Sequence, residues 1–256
     1  MKYLLSKESL PVAARLAREQ TLCAFDFDGT LARIVRRPDQ AAMRARTRDL
    51  LYRLAKLYPC IVVSGRARQD VMGKLRGVPV AQVIGNHGAD TEVTQNARSL
   101  IERWKAVLEA RLGCIPGLWI EDKGLSLALH YRQCAQKAQV RQRILATTGT
   151  LQQSDSFGGK QVINVVVAGS PNKGDALAAE RDRMHCNWVL YAGDDENDEA
   201  AFAVGGNIVS VRIGRKQKSS AHYYLRTQAE IDALLDLLVR LREHGTCIPG
   251  VLRSRS

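Results

Sequence analysis

The chain has no Cys-x-x-Cys pair, no long apolar run, no block of basic residues and few aromatic side chains. Its six cysteines (Cys23, Cys60, Cys114, Cys134, Cys186 and Cys247) are widely scattered. That argues against a disulfide framework and against a thiolate zinc site. No stretch approaches the roughly 20 apolar residues that a membrane-spanning helix needs, and residues 1–20 lack the continuous apolar core of a secretory leader. A reducing, cytoplasmic location with no membrane partner is therefore expected. Aromatics make up only 5%, too few for base-stacking platforms. Internal repeats and low-complexity segments are absent as well.

What is present is an ordinary globular composition: 256 residues, 45% apolar and 25% charged, enough for one large domain or two small ones. Lys+Arg 38 against Asp+Glu 26 leaves +12. A nucleic-acid face, steering of an anionic substrate and a solvated basic surface all fit that number. Arginine, however, is spread along the whole chain.

Short apolar runs alternate with amphipathic stretches in the first third. A helix is expected over 12–19, with Pro11 near its first turn. A buried strand then runs to Asp26, a helix covers 47–57, a strand spans 61–63, a helix 69–75 and a strand 83–84. Strand–helix alternation in short steps argues for a doubly wound parallel sheet. The pattern then changes. A helix over 99–112 precedes two antiparallel strands, 118–123 and 125–132, the second read as half-buried from its alternation. A helix over 136–146 and a strand over 161–167 follow. From Lys173 the first pattern returns, with helices at 174–184, 198–203 and 230–244 and strands at 188–191 and 208–213. The expected organisation is a core domain in two parts, 1–98 and 169–256, with a smaller α+β domain, 99–168, inserted between them. The tail, 245–256, is expected to be loose.

The densest chemical signal is Phe25-Asp26-Phe27-Asp28-Gly29-Thr30-Leu31. Two carboxylates after a buried strand put like charges at the sheet edge where α/β folds bind ligands. Burying both is costly without a cation, and oxygen ligands favour Mg²⁺. Three other strands end in Ser64-Gly65, Gly85-Asn86-His87-Gly88 and Gly193-Asp194-Asp195. In a parallel sheet these ends share one edge. With Lys173 at a helix start, the set supplies what phosphoryl transfer requires: carboxylates for a metal, donors for an oxyanion and a balancing lysine.

In this order, Asp26-Phe-Asp28-Gly-Thr30, Ser64, Lys173 and Gly193-Asp194-Asp195-Glu-Asn-Asp198 resemble the four motifs of the haloacid dehalogenase superfamily of phosphatases. The insert lies where that superfamily carries its larger cap. Val63-Ser64-Gly65-Arg66, Gly85-Asn86-His87-Gly88-Ala89, Ile120-Glu121-Asp122-Lys123 and His130-Tyr131-Arg132 resemble trehalose-6-phosphate phosphatases, and the likeness runs from about Leu4 to Leu238.

The resemblance implies Asp26 as nucleophile and Asp28 as general acid and base. It implies Mg²⁺ on the Asp26 side chain, the Asp28 main-chain carbonyl and Asp194. Ser64 and Lys173 would bind the phosphoryl oxygens, while Asp195 and Asp198 would orient metal waters or Lys173. Arg66 and Asn86 would face the substrate, and Glu121 and Lys123 would reach down from the cap to sugar hydroxyls. His87 is expected either to shape its turn or to line the cleft, and His130 and Arg132 to hold the cap sheet. The implied partners are a small sugar phosphate and, functionally, a trehalose-6-phosphate synthase, with no nucleic acid.

One departure bears on the substrate. Where the family carries Glu-x-Arg-Pro, this chain has Asn164-Val165-Val166-Val167. An amide still binds a hydroxyl, so Asn164 stays in the expected substrate set. Three alternatives stay open: a different phosphorylated sugar or glycoside, a non-catalytic regulator, and a nucleic-acid-binding protein. The intact Asp26, Asp28, Lys173 and Asp194 favour catalysis.

Overall fold

The computed structural model describes residues 1–35, 37–89 and 95–244. The 245–256 tail and Cys247 lie outside the described residues. In chain order the elements are β1 (Lys2–Tyr3), α1 (Leu10–Arg18), β2 (Thr21–Phe25), α2 (Ala45–Leu57), β3 (Cys60–Val63), α3 (Arg68–Lys74) and β4 (Gln82–Ile84). Then come α4 (Gln95–Leu112), β5 (Trp119–Asp122), β6 (Ser126–His130), α5 (Lys137–Thr148), β7 (Ser154–Gly159) and β8 (Val162–Val167). The last part holds α6 (Lys173–Arg183), β9 (Trp188–Gly193), α7 (Glu199–Phe202), β10 (Ile208–Ile213), β11 (Tyr223–Leu225) and α8 (Ile231–Glu243).

Seven strands form one sheet in the order β1-β11-β10-β9-β2-β3-β4, and every pairing in it is parallel. Because side chains alternate across a strand, each central strand feeds two cores. Cys23, Phe25, Cys60, Val62, Leu190 and Ala192 point to one face, where Leu16 of α1, Leu51 and Leu54 of α2 and Leu234 and Leu238 of α8 cover them. Leu22, Ala24, Ile61, Val63, Val189 and Tyr191 point to the other, against Leu177 of α6 and Phe202 of α7. Burial on both faces explains why these strands read as continuous apolar runs rather than alternating ones.

From β2 the chain steps outward through β3 to β4; from β9 it steps the opposite way through β10 to β11. β2 and β9 are neighbours, with Phe25 opposite Ala192. The strand order thus reverses between them, and the crevice at such a switch point, outside the strands' carboxyl ends, is where open α/β sheets bind ligands.

The second sheet is antiparallel, in the order β5-β6-β8-β7. α4 and α5 cover one face, where Ile101, Trp104, Leu108 and Ile144 meet Leu127, Leu129, Ile163 and Val165. The alternation in β6 suggests a half-buried strand, but Ser126 and Ala128, on its other face, are fully buried too. That face is covered by the core: the Ser126 hydroxyl donates to Asn86 Oδ1 at 3.3 Å. β7, Ser-Asp-Ser-Phe-Gly-Gly, carries no strand signal. It is an edge strand held in place by its pairing with β8.

Candidate active site

Asp26 follows β2 directly, and its N–H donates to the Ala192 carbonyl of β9 at 2.9 Å. Its carboxylate is buried and accepts from Lys173 Nζ at 2.8 Å. Lys173 is the first residue of α6, whose start is fixed by a reciprocal cap: Asn172 accepts from the N–H groups of Gly174 and Asp175, and Asp175 accepts from the Asn172 N–H. The lysine, 1% exposed, also donates to Asp198 Oδ1 at 2.7 Å. That oxygen accepts from Tyr191 Oη at 2.7 Å, while Asp198 Oδ2 accepts from the N–H groups of Asp194 and Asp195 at 2.8 and 2.9 Å.

Each charge state follows from these contacts. Burial would raise the Asp198 carboxyl, but Lys173 and the hydrogen bonds from Lys173, the main chain and Tyr191 hold it below the usual carboxylate range. Burial would lower the Lys173 ammonium, yet Asp198 and Asp26 together raise it. Asp26 is pushed well up by burial, with Lys173 opposing and Asp198 and Asp194 reinforcing. Burial likewise pushes Asp194 up to about 6, against the pull of Lys160. This centre therefore gathers more carboxyl groups than one buried lysine can keep ionised, and the two that are raised are Asp26 and Asp194.

Carboxylate oxygens of Asp26, Asp194 and Asp198 lie within 4.8 Å of one another. A hard cation fits two of these three residues: Asp198 spends its oxygens on hydrogen-bond donors, whereas Asp26 and Asp194 carry raised carboxyls that a cation would ionise. Gly29 makes room for this. It sits at φ +84°, and a Cβ there would collide with the Asp194 carboxylate.

A cleft of about 470 Å³ opens over this centre, lined by Asp26, Asp28 and Asp194 at its base. Asp28 is gripped by Arg66, Nε to Oδ2 at 2.5 Å and Nη2 to Oδ1 at 2.8 Å, and Arg66 Nη1 reaches Asp70 at 2.6 Å. Ser64 is buried; its Oγ accepts the Arg66 N–H at 3.2 Å. Neither Ser64 nor Lys173 is among the cleft-lining residues; both are buried, Lys173 in contact with the cleft-lining Asp26. Asn86, expected to face the substrate, does not line the cleft either. It is buried at the joint with the second sheet, held by Ser126.

Residues of the insert form the opposite wall. Glu121, Lys123, His130 and Asn164 line the cleft. Lys123 Nζ donates across to the Gly65 carbonyl at 2.8 Å, and burial lowers its ammonium. His130 Nε2 pairs with Glu121 Oε2 at 2.8 Å, a contact that, with the Lys123 charge, outweighs burial and keeps the Glu121 carboxyl low. For His87 the two alternatives are not exclusive. It turns the chain at φ 62° and lines the cleft, with Asn197 3.3 Å from its Nδ1 and its ring edge-on to Phe157 at 4.8 Å. Burial, helped by Lys123 and Lys173, depresses its pKa well below the ordinary value.

Asp195 touches neither Lys173 nor Asp26; its Oδ2 accepts the N–H of Lys160 at 3.1 Å. Lys160 is a residue of the site that no motif marks. It sits in the tight turn between β7 and β8 and sends its ammonium into the Asp194 carboxylate. Its only sequence signal is the Gly158-Gly159-Lys160 turn, which does not say what the lysine meets.

A doubly wound parallel sheet, a switch-point aspartate bound to a buried lysine, and an antiparallel insert over the cleft define the haloacid dehalogenase fold class. A phosphatase of that superfamily from Bacteroides thetaiotaomicron matches with a TM-score of 0.61 at 15% identity, over 86% of this chain and 94% of that one. The C-terminal domain of the Candida albicans trehalose-6-phosphate phosphatase matches with a TM-score of 0.76 at 21% identity, over 90% of this chain and 96% of that one. A trehalose-phosphate phosphatase from Mycobacterium ulcerans (strain Agy99) is 33% identical over 208 residues, 74% of this chain and 53% of that protein. The chain thus spans about half the length of this curated relative. The trehalose-phosphatase family model matches residues 24–230, and the chain belongs to that family.

Proposed function

We propose that this protein hydrolyses trehalose 6-phosphate to trehalose and phosphate. The observation that carries the reading is the buried Asp26–Lys173–Asp198 arrangement beside Asp194, under a cleft whose other wall offers Glu121, Lys123 and Asn164 to a sugar. Family membership supports it. Asp26 attacks phosphorus; the bond to the sugar oxygen breaks as Asp28, entering the step protonated on one oxygen with Arg66 on the other, gives that sugar oxygen its proton, leaving an aspartyl-phosphate. Asp28 then takes a proton from water, whose oxygen attacks phosphorus and frees Asp26. Lys173 holds Asp26 in place, and Asp198 holds Lys173. Ser64 and Lys173 are assigned to the phosphoryl oxygens, and Arg66, His87, Glu121, Lys123 and Asn164 to the substrate. Mg²⁺, held by Asp26, Asp194 and the Asp28 main-chain carbonyl, would offset the charge between carboxylate and phosphate.

The insert, residues 99–168, is proposed as a cap domain that closes over the site and excludes water, with 1–98 and 169–256 as the core. No helix among the described residues is long and apolar enough to cross a membrane, in keeping with the cytoplasmic setting we propose. The reaction partner upstream would be a synthase that makes the sugar phosphate.

Asn164 favours a second reading, a phosphatase of another phosphorylated sugar. It is 2% exposed and lines the cleft, so the exchange of carboxylate for amide falls where a sugar hydroxyl would bind. A phosphate-release screen over a panel of sugar phosphates decides between them. Highest kcat/KM on trehalose 6-phosphate supports the first reading; a clear preference for another member replaces it with the second.

A further inference from the structure

The cleft changes character from base to mouth. Among the described residues five large hydrophobic side chains are exposed, and two of them, Trp119 at 49% and Ile34 at 43%, line this one cleft from opposite domains. Val35 and Pro38 extend the core-side wall beside Ile34. An indole left half in water forfeits hydrophobic stabilisation, so its position over the cleft calls for an occupant.

Trp119 is also fixed in place. It opens β5 opposite His130 of β6, and the two rings stack with centroids 4.7 Å apart and planes 19° from parallel. Glu121 pins that imidazole at 2.8 Å. Trp119 and Glu121 share one face of β5, Lys123 follows just past the strand's end, and all three line the cleft. From Trp119 to Lys123 the strand advances about 13 Å, farther than one pyranose ring reaches. The inner end of this row lies at Gly65, next to Arg66 and Asp28; the outer end is aromatic. A sugar ring has the matching anatomy: a C–H face that packs on an aromatic plane and a rim of hydroxyls for a carboxylate and an ammonium.

We propose that Trp119 is a specificity-determining residue, its indole, backed by His130, receiving the C–H face of the sugar ring farther from the phosphate, with Ile34 and Val35 opposite. This rests on the sugar-phosphatase reading above and adds that the second ring of the substrate is recognised by stacking.

Two measurements test it. With Trp119→Ala, the ratio of kcat/KM for trehalose 6-phosphate to that for glucose 6-phosphate should fall about tenfold or more, mainly through KM, and Trp119→Phe should recover most of the loss. Equal losses on both substrates, or an unchanged ratio, overturn the assignment. Separately, intrinsic fluorescence of the wild-type protein should change on titration with unphosphorylated trehalose, and Trp119→Phe should abolish the change; Trp104 is buried and Trp188 lies under Arg15, far from the cleft. A signal retained in Trp119→Phe, or no signal in the wild type, counts against the platform. If the wild type ignores trehalose 6-phosphate yet shows the Trp119-dependent signal, the substrate reading fails and the stacking site stands.

Discussion

Arg66 holds both carboxylate oxygens of Asp28, with Nε to Oδ2 at 2.5 Å and Nη2 to Oδ1 at 2.8 Å. A planar fork on a carboxylate fixes orientation as well as charge. Arg66 in turn is tied to Asp70 on α3, so the side chain proposed to move the proton is aimed from a helix rather than by its own loop.

Arg66→Ala should therefore lower kcat by about 10- to 100-fold, the cost of a misplaced reacting group. Arg66→Lys should restore little of it, because an ammonium cannot form the fork. Steady-state phosphate release checks both variants; full activity in Arg66→Lys would show that charge alone suffices.

Lys173 is 1% exposed between two carboxylates. Lys173→Met should cost about 3–5 kcal/mol of stability, because it removes the counter-charge of the buried Asp198 carboxylate and the hydrogen-bond donor of Asp26. Urea unfolding reads this directly. Asp26→Asn keeps a hydrogen-bonding group at the site, so it should fold and yet release no phosphate; sustained turnover by that variant would falsify the nucleophile assignment.

Chelation should stop phosphate release and Mg²⁺ should restore it. The ammonium of Lys160 engages the Asp194 carboxylate, so an entering cation has to compete with it. Lys160→Ala should tighten Mg²⁺ binding by about threefold to fivefold, a modest gain because this lysine is half exposed. Titration calorimetry without substrate measures it, and unchanged affinity would mean that the lysine yields at no cost.

His87 supplies a pH signature. Its pKa is depressed in the folded chain by burial and by Lys123 and Lys173, whereas an unfolded histidine titrates near about 6.5. Below that value the unfolded chain takes up a proton that the folded chain refuses, so stability falls as pH drops, by up to about 1.4 kcal/mol per pH unit from this one residue. His87→Gln should flatten the slope of unfolding free energy against pH below 6.5. A slope identical to the wild type would place the pH dependence elsewhere. Gly65 belongs to the same packing, since a Cβ there would collide with the His87 ring.

Strand ends were legible because the residues before them are buried on both faces. Leu22 to Phe25, Ile61 to Val63 and Trp188 to Tyr191 leave no polar alternation to misread, and the chemistry follows each run at once. The edge strand β7 was not legible, because Ser154, Asp155 and Ser156 have neither β-branching nor an apolar face; their conformation comes from β8. Ser126 and Ala128 misled for the opposite reason. They look like an exposed face, and the core domain covers them.

By itself the sequence determined the order of the motifs, the parallel core with its insert, and which carboxylates and lysine meet at the sheet edge, because buried runs, turns and caps are local patterns that repeat along the chain. Tertiary structure alone decided the pairings between distant residues: Lys160 on Asp194, Lys123 on the Gly65 carbonyl, Asn86 behind the cleft rather than in it, and Trp119 over His130 at the mouth. The first three depend on how one domain lies over the other and the last on the register of β5 against β6, geometries of packing that no local pattern of residues encodes.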